Sequence, residues 1–385
     1  MFDDLVGQEP AVEELRAAVA AATDVLAGDD NRGMTHAWLF TGPPGSGRST
    51  AARAFAAALQ CDRGGCSSCE ACRTVHTGTH ADVEVVRPEG LSFSVAEARQ
   101  LVHRAAMSPS GRRWQVVLFE DADRMTEQAA NALLKAIEEP AARTVWLLCT
   151  PAPDDLVVTI RSRCRLVTLR SPSAAAVAEV LVRRDGVDRE MAAFAARVAQ
   201  GHVGRARRLA TDERARNRRT DVLRLPLSLD EVASSLTAAA SLVTAAQDDA
   251  TVTAEELDAP ETAALRRALG EGTEGRAMPR GSKGVLNDLE RQQKSRATRV
   301  KRDSLDRALL DLVSFYRDVL ILQLGADVGL SNEDIRDAVR SVAESSTQAA
   351  TLRRLEAIMH CRERIDGNVN PLLAIESLTM ALRTA

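Results

Sequence analysis

The chain has 385 residues, 45% of them hydrophobic and 27% charged, with a formal net charge of −4. At roughly 100–200 residues per domain, two or three domains are expected. The near-neutral balance excludes a globally basic nucleic-acid binder but leaves local patches open, and aromatics at 3% argue against a β-sandwich or a platform of stacked rings. No apolar run approaches the roughly 18 residues that span a bilayer, and the acidic start Met1-Phe2-Asp3-Asp4 does not read as a signal peptide. A cytoplasmic chain with no membrane partner is therefore expected. Of the 50 Lys plus Arg only four are Lys (Lys135, Lys283, Lys294, Lys301), so 46 are Arg.

In chain order, His36–Thr41 is a short apolar strand running into a Gly/Pro-rich turn, and Ser49–Leu59 follows as a helix. Asp82–Val86 reads as a strand. Ser94–Met107 has helical spacing, with Val95, Ala98, Leu101, Val102 and Ala105 on one face. Gln115–Phe119 is a buried strand ending in acids, and Glu127–Glu139 is a helix stopped by Pro140. Thr144–Leu148 and Arg165–Leu169 complete the strands. This alternation predicts a parallel α/β sheet. Beyond Pro172 the strand signal disappears. Helices are expected over Ser173–Arg184, Arg189–Gln200, from Gly201, and over Val285–Leu324, Asn332–Ser345 and Gln348–Ile365. Between Gln247 and Gly284 an acidic run gives way to a Gly-rich one, which predicts an irregular insertion.

Gly42–Ser49 (GPPGSGRS) matches the Walker A pattern except for Arg48 in place of Lys. Gly42, Gly45 and Gly47 would let backbone N–H groups face phosphates, and Ser49 and Thr50 open the following helix, where Ser49 could hold Mg²⁺. The bland alternative is a Gly-rich turn with no ligand. Arg is longer and forked where Lys is a compact point charge, so the exchange is not conservative. Glu120-Asp121 ends a hydrophobic strand as a Walker B pair does, but in the reverse of the usual Asp-Glu order. That displaces both carboxylates by about one methylene, and catalysis tolerates little misplacement. Two solvated acids at a strand end is the other reading. Cys61, Cys66, Cys69 and Cys72 (C-x4-C-x2-C-x2-C) suit a closed tetrahedral Zn²⁺ site, with reduced loop thiols as the alternative. Cys149, Cys164 and Cys361 read as buried small residues. The basic stretches Arg291–Arg302 and Arg205–Arg219 fit either a solvated helix face or DNA contact.

Taken together, Val6-Gly7-Gln8, the Walker-like loop, the four-Cys module, Ala130–Pro140 (ANALLKAIEEP), Leu147–Thr150 and Ser162-Arg163-Cys164 resemble the AAA+ subunits of the bacterial DNA polymerase III sliding-clamp loader. The resemblance covers about residues 1–212; the remainder matches only in being helical. Within the family, gamma/tau motors carry Lys and Asp-Glu, whereas the delta-prime type keeps the fold and the SRC Arg with an eroded nucleotide site. Arg48 and Glu120-Asp121 resemble the latter.

The resemblance implies an AAA+ P-loop domain over 1–171 with the zinc module at 61–72, a helical lid over 172–213, and an all-α collar over 214–385 with the insertion at 247–284. It further implies that Arg163 is an arginine finger acting in a neighbouring gamma/tau ATP site, that Thr150 is the first sensor, and that Gly7 and Gln8 line an adenine pocket. The second-sensor Arg looks displaced, with Gly204 in its place and Arg205 next to it. Implied partners are gamma/tau and delta in a hetero-oligomeric ring, with the sliding clamp and primed DNA met through it. Implied cofactors are structural Zn²⁺ and, in a degenerate site, ATP with Mg²⁺; little or no ATPase is expected of the isolated chain. An ATP-hydrolysing gamma/tau-like motor or other remodeller, and a zinc-containing interaction module outside replication, are the alternative readings.

Overall fold

Five short strands pair in parallel in the computed structural model: β1 (Ala37–Thr41), β2 (Val83–Val86), β3 (Gln115–Phe119), β4 (Thr144–Thr150) and β5 (Arg165–Thr168), in the order β2-β3-β4-β1-β5. The structure describes residues 1–385 except 3–4, 30–31, 89, 112, 270–281 and 385. They form two units, Met1–Thr211 and Asp212–Ala385.

In the first unit, the helices are α1 (Glu9–Ala27), α2 (Arg48–Gln60), α3 (Glu70–Thr77), α4 (Val95–Ala105), α5 (Glu127–Glu138), α6 (Val158–Arg161), α7 (Ala174–Asp185), α8 (Arg189–Ala199) and α9 (Val203–Thr211). Successive strand residues face opposite sides of a sheet, and this sheet is buried on both. Trp38, Phe40, Leu118 and Leu147 join one core with Phe55 and Leu59 of α2. Leu39, Val117, Phe119 and Trp146 join a second with Leu101 of α4 and Leu133 of α5. Burial on both faces explains why β1, β3 and β4 read as unbroken apolar runs rather than alternating ones. A capping box of Ser94 and Glu97 starts α4, and the Thr126 hydroxyl caps α5.

The second unit is helical: α10 (Glu213–Arg224), α11 (Val232–Ala268), α12 (Ser282–Leu324), α13 (Arg336–Ser345), α14 (Gln348–Asp366) and α15 (Pro371–Thr384). Leu305, Leu309, Leu312, Tyr316 and Val319 form an apolar stripe along α12, packed with Ile358 and Ile365 of α14 and Ile375 and Leu378 of α15. No helix among the described residues is long and apolar enough to cross a membrane.

The insertion expected at 247–284 needs correction. Residues 247–268 continue α11 and residues 282–284 begin α12; only 270–281 of that stretch lie outside the described residues. Composition misled because the acidic run is answered by bases on the facing helix. Glu261 takes two hydrogen bonds from Arg296, at 2.9 and 2.7 Å, and Gln293 donates to Asp258 O and Thr262 Oγ1, both at 3.1 Å. The stretch Arg291–Arg302 is thereby largely partnered: Arg291 with Asp288, Lys294 with Glu290 and Arg299 with Asp303, besides Arg296. That pairing favours the charged helix face over the nucleic-acid contact.

A polar knot is buried in this unit. Asp318, fully buried, accepts from the backbone N–H of Ser331 (3.2 Å) and Asn332 (2.7 Å) and from Asn332 Nδ2 (2.8 Å). Arg219 of α10, 4% exposed, reaches Asn332 Oδ1 at 2.5 Å and Asp334 at 3.2 Å. Stranding buried donors costs about 1–3 kcal/mol each. Asp318→Ala is therefore expected to destabilise the second unit by about 3 kcal/mol or more, measured by chemical unfolding, with zinc content unaffected.

Candidate nucleotide site, finger and metal centre

The Gly42–Ser49 loop joins the C-terminal end of β1 to the start of α2, where a phosphate loop belongs. Gly45 has φ +85°, and a Cβ there would meet His202 Cα at 2.3 Å; one at Gly42 would meet Leu169 O at 2.3 Å. These glycines thus admit the protein's own chain, with His202, at the start of α9, lying against the loop. Arg48 donates from Nη1 to the Gly42 carbonyl, so its guanidinium is engaged with the loop it belongs to. Burial pulls the Arg48 pKa below its ordinary value, with Cys149, Asp121 and Asp123 opposing the shift. Burial, reinforced by the nearby Glu120 carboxylate, raises the Cys149 thiol well above its ordinary value.

Glu120 and Asp121 follow β3 on the same edge of the sheet. Glu120 Oε1 accepts from Arg53 Nε at 3.1 Å and Nη2 at 2.5 Å, and Oε2 accepts from Arg87 Nε at 2.7 Å. A carboxylate held between two guanidiniums is neutralised and poorly placed to take a divalent cation. Asp121 has left-handed backbone (φ +53°) and lies 3.8 Å from Arg124. Arg53 and Arg87 carry no sequence motif. The signal for Arg87 is the register Val86↔Phe119, which sets the residues following β2 and β3 side by side. That pairing is invisible until the strand order is known.

Gln8 is 3% exposed and bridges backbone: its Nε2 donates to Arg170 O (2.6 Å) and Ser46 O (3.3 Å), and its Oε1 accepts from Arg170 N (3.0 Å). Gly7 precedes it with φ +74°. The cavity beside Gln8, bounded also by Gly47, Thr50 and Val177, measures about 50 Å³, far below the roughly 300–1,000 Å³ of ligand pockets. Thr150 is fully buried and donates to Ala152 O at 2.9 Å. Of the arginines on α7 and α9, Arg184 and Arg207 reach a cavity containing Ser49, while the Arg205 N–H caps α9 onto His202 Nδ1.

Arg163 sits between α6 and β5, half-exposed. Its Nε pairs with Glu138 Oε1 at 2.5 Å, and its Nη1 donates to Thr159 O at 2.7 Å. All strands run one way, so the residues preceding β5 lie on the opposite edge of the sheet from Gly42 and Glu120. The four residues of β5 alone set these edges roughly 13 Å apart.

Cys61, Cys66, Cys69 and Cys72 converge with all four sulfurs within 4.8 Å of one another. Cys61 Sγ and Cys69 Sγ are 3.7 Å apart, close to the roughly 3.8 Å edge of a tetrahedron with 2.3 Å metal–sulfur bonds. Backbone N–H groups point at the sulfurs: Cys66 N to Cys61 Sγ (3.4 Å), Cys69 N to Cys66 Sγ (3.3 Å) and Cys72 N to Cys69 Sγ (3.4 Å). Bonds from the Ser68 side chain and backbone, then from Cys69, lower the Cys66 pKa to about 5. Burial pushes Cys72 up to about 12. Such a donor set fits a metal ion that takes four thiolates. Burial also raises the thiols of Cys149, Cys164 and Cys361, consistent with packing roles.

A parallel sheet in this strand order, with a Gly-rich Walker A-like loop after β1, paired acids after β3 and the helices α7–α9 following β5, defines the AAA+ class of P-loop protein. The family model described as "DNA polymerase III, delta subunit" matches residues 24–173, and that described as "DNA polymerase III, delta subunit, C terminal" matches residues 298–384. A Bacillus subtilis (strain 168) protein named DNA polymerase III subunit delta' is 27% identical over 356 residues, 91% of each chain. The Pseudomonas aeruginosa PAO1 protein of that name is 41% identical over 154 residues, 38% of this chain and 47% of that one. The Mycobacterium tuberculosis H37Rv gamma/tau subunit is 32% identical over 167 residues, 42% of this chain and 27% of that one. The chain belongs to the DNA polymerase III delta-prime family, with gamma/tau as relatives.

Because Gln8 satisfies both backbone groups of Arg170 in a nearly dry setting, Gln8→Ala is expected to lower the stability of the first unit by about 1–3 kcal/mol. Thermal unfolding with nucleotide absent checks this.

Proposed function

We infer that this chain is a non-motor, delta-prime-type subunit of the DNA polymerase III clamp loader, assisting ATP-driven placement of the sliding clamp on primed DNA. The observation that carries the non-motor reading is the use of the chain's own arginines in its own site: Arg48 on the Gly42 carbonyl, and Arg53 and Arg87 on Glu120. Nucleotide binding at Gly7, Gln8, Gly42, Gly45, Gly47, Arg48, Ser49, Thr50, Glu120, Asp121 and Thr150 is correspondingly weakened. Hydrolysis then belongs to gamma/tau neighbours, with delta completing a cytoplasmic hetero-oligomeric ring. The second unit serves as the collar that tethers it.

Arg163 is the finger of this subunit. Its position on the edge opposite the Gly42 loop puts it out of reach of the chain's own phosphates, and its partial exposure leaves it accessible to a neighbour. There its forked charge would stabilise the phosphoryl group in flight. The ion at Cys61, Cys66, Cys69 and Cys72 is structural zinc: four thiolates close its coordination shell and leave no position for substrate.

Three outcomes test this reading. Purified chain should show only background ATP turnover; DNA-stimulated hydrolysis abolished by Ser49→Ala would overturn it. Arg163→Ala should leave assembly with gamma/tau and delta intact while slowing the ATP site it serves by at least tenfold, against a range of about 10³–10⁵ for trans fingers. Unchanged turnover would remove the finger role. Metal analysis of reduced protein should find one zinc per chain, with Cys69→Ser lowering both zinc content and the melting temperature.

A further inference from the structure

The four cysteines of the metal centre are not equivalent. Cys61 caps the end of α2 and Cys72 lies in the first turn of α3, and both are 1% exposed. Cys66 and Cys69 are only half-buried. Cys61, Cys69 and Cys72 are anchored by regular structure. The residues around Cys61 are tied to the chain entering β3: Arg113 donates to Leu59 O at 2.7 Å and to Asp62 Oδ1 at 2.9 Å, and Gln60 donates to Trp114 O. Cys69 caps α3, where its sulfur accepts from the Cys72 N–H. Cys66 instead sits between the two helices on a stretch without regular structure. Its sulfur accepts from Arg63 Nη2 (3.2 Å), the Ser68 hydroxyl (3.5 Å) and the Cys69 N–H (3.3 Å). A sulfur that shares its lone pairs with a charged donor gives less to a metal ion. Cys66 is therefore the ligand that detaches most readily.

We propose that Cys66 is an oxidant-sensitive modification site, where a peroxide oxidises the sulfur and Cys69 resolves it to a Cys66–Cys69 disulfide, opening the metal centre. The inference rests on the reading of the four cysteines as a zinc site. Arg63 holds the detached Cys66 sulfur as a thiolate, the nucleophilic form, in a partly exposed electropositive setting. That thiolate attacks one peroxide oxygen: the S–O bond forms, the O–O bond breaks, and the departing hydroxide takes a solvent proton to leave as water. Cys66 is then a sulfenic acid, oxidised by two electrons. The Cys69 thiolate attacks its sulfur, the S–S bond forms, the S–O bond breaks, and a second hydroxide leaves as water with a second solvent proton. The sum is two thiolates, one peroxide and two protons giving one disulfide and two waters. All four sulfurs already lie within 4.8 Å of one another, so closure to the roughly 2.05 Å of a disulfide asks movement mainly of the Cys66 loop. The two thiolates left, Cys61 and Cys72, are too few to close a tetrahedral shell. With the shell open, α3, which meets the core through Val75, loses its cross-link to the end of α2.

The test uses the full chain, reduced and loaded with zinc, then treated with dilute hydrogen peroxide. Zinc content is measured first: a chain that takes up no zinc overturns the zinc reading and this inference together. With zinc in place, its release is followed by a colorimetric indicator and the thiols by mass spectrometry. One zinc should leave per disulfide formed, a sulfenic-acid trap should label Cys66 before the other three ligands, and the disulfide should map to Cys66–Cys69. Cys61 and Cys72 should remain free thiols, and the melting temperature should fall as zinc leaves. Dithiothreitol with added zinc should restore the centre, since the disulfide is reversible. Arg63→Gln keeps all four ligands; it should retain zinc and slow its release by about threefold, the scale of an exposed charged contact. The inference alone is overturned if the loaded chain keeps its zinc under peroxide that oxidises free cysteine, or if the trap labels Cys69 first. It is equally overturned if the disulfide joins Cys69 to Cys61 or Cys72, or if Arg63→Gln releases zinc as fast as wild type.

Discussion

Every strand of the sheet runs in the same direction, and that single constraint sorts the chemistry of the first unit. Parallel strands give the sheet two unlike edges, one where all strands end and one where all begin. The Gly42 loop, Glu120 and Thr150 follow strand ends and collect on the first edge. Arg163 precedes β5 and falls on the second. Burial on both faces fixes the register, because a one-residue slip of β1 would exchange Trp38 and Phe40 with Leu39 between two packed cores. Edge chemistry is therefore as fixed as the core itself.

On the first edge, arginine changes what the inherited geometry can do. A phosphate loop is a set of donors waiting for an anion. Here its carbonyl at Gly42 meets Arg48, and the acid that would face a metal ion is neutralised from two sides. Both polar contacts sit on a packed frame: Ala51, Ala52 and Phe55 of α2 are fully buried. Packing and strand-end chemistry are separable here: the first rests on apolar residues along the strands, the second on a few polar side chains at their ends.

Much of this was legible in the sequence. Gln115–Phe119 coincides with β3, and the strand at 144–148 runs on only to Thr150. The Cys spacing anticipated a cluster that closes to within 4.8 Å. What escaped was set by non-local pairing. Arg53 and Arg87 meet Glu120 only because β2 lies beside β3 and α2 lies over the sheet, and nothing local to either arginine announces it. Residues 247–268 misled for the same reason: their charge looked like a signature of irregular chain until Arg296 and Gln293 supplied partners 31–35 positions away. Local composition reports a segment's own preferences and is silent about compensation arriving from elsewhere.

The Arg163–Glu138 pair sets how readily the guanidinium can change allegiance. Both side chains are about 40% exposed, and ion pairs so open to water are worth about 0–1 kcal/mol. That is near thermal energy, so the pair acts as a light latch. It narrows the orientations the guanidinium samples, yet releases it often enough that handing it to another carboxylate or phosphate involves little barrier. A buried latch would have had to be broken at several kilocalories; this one is open for a good fraction of the time.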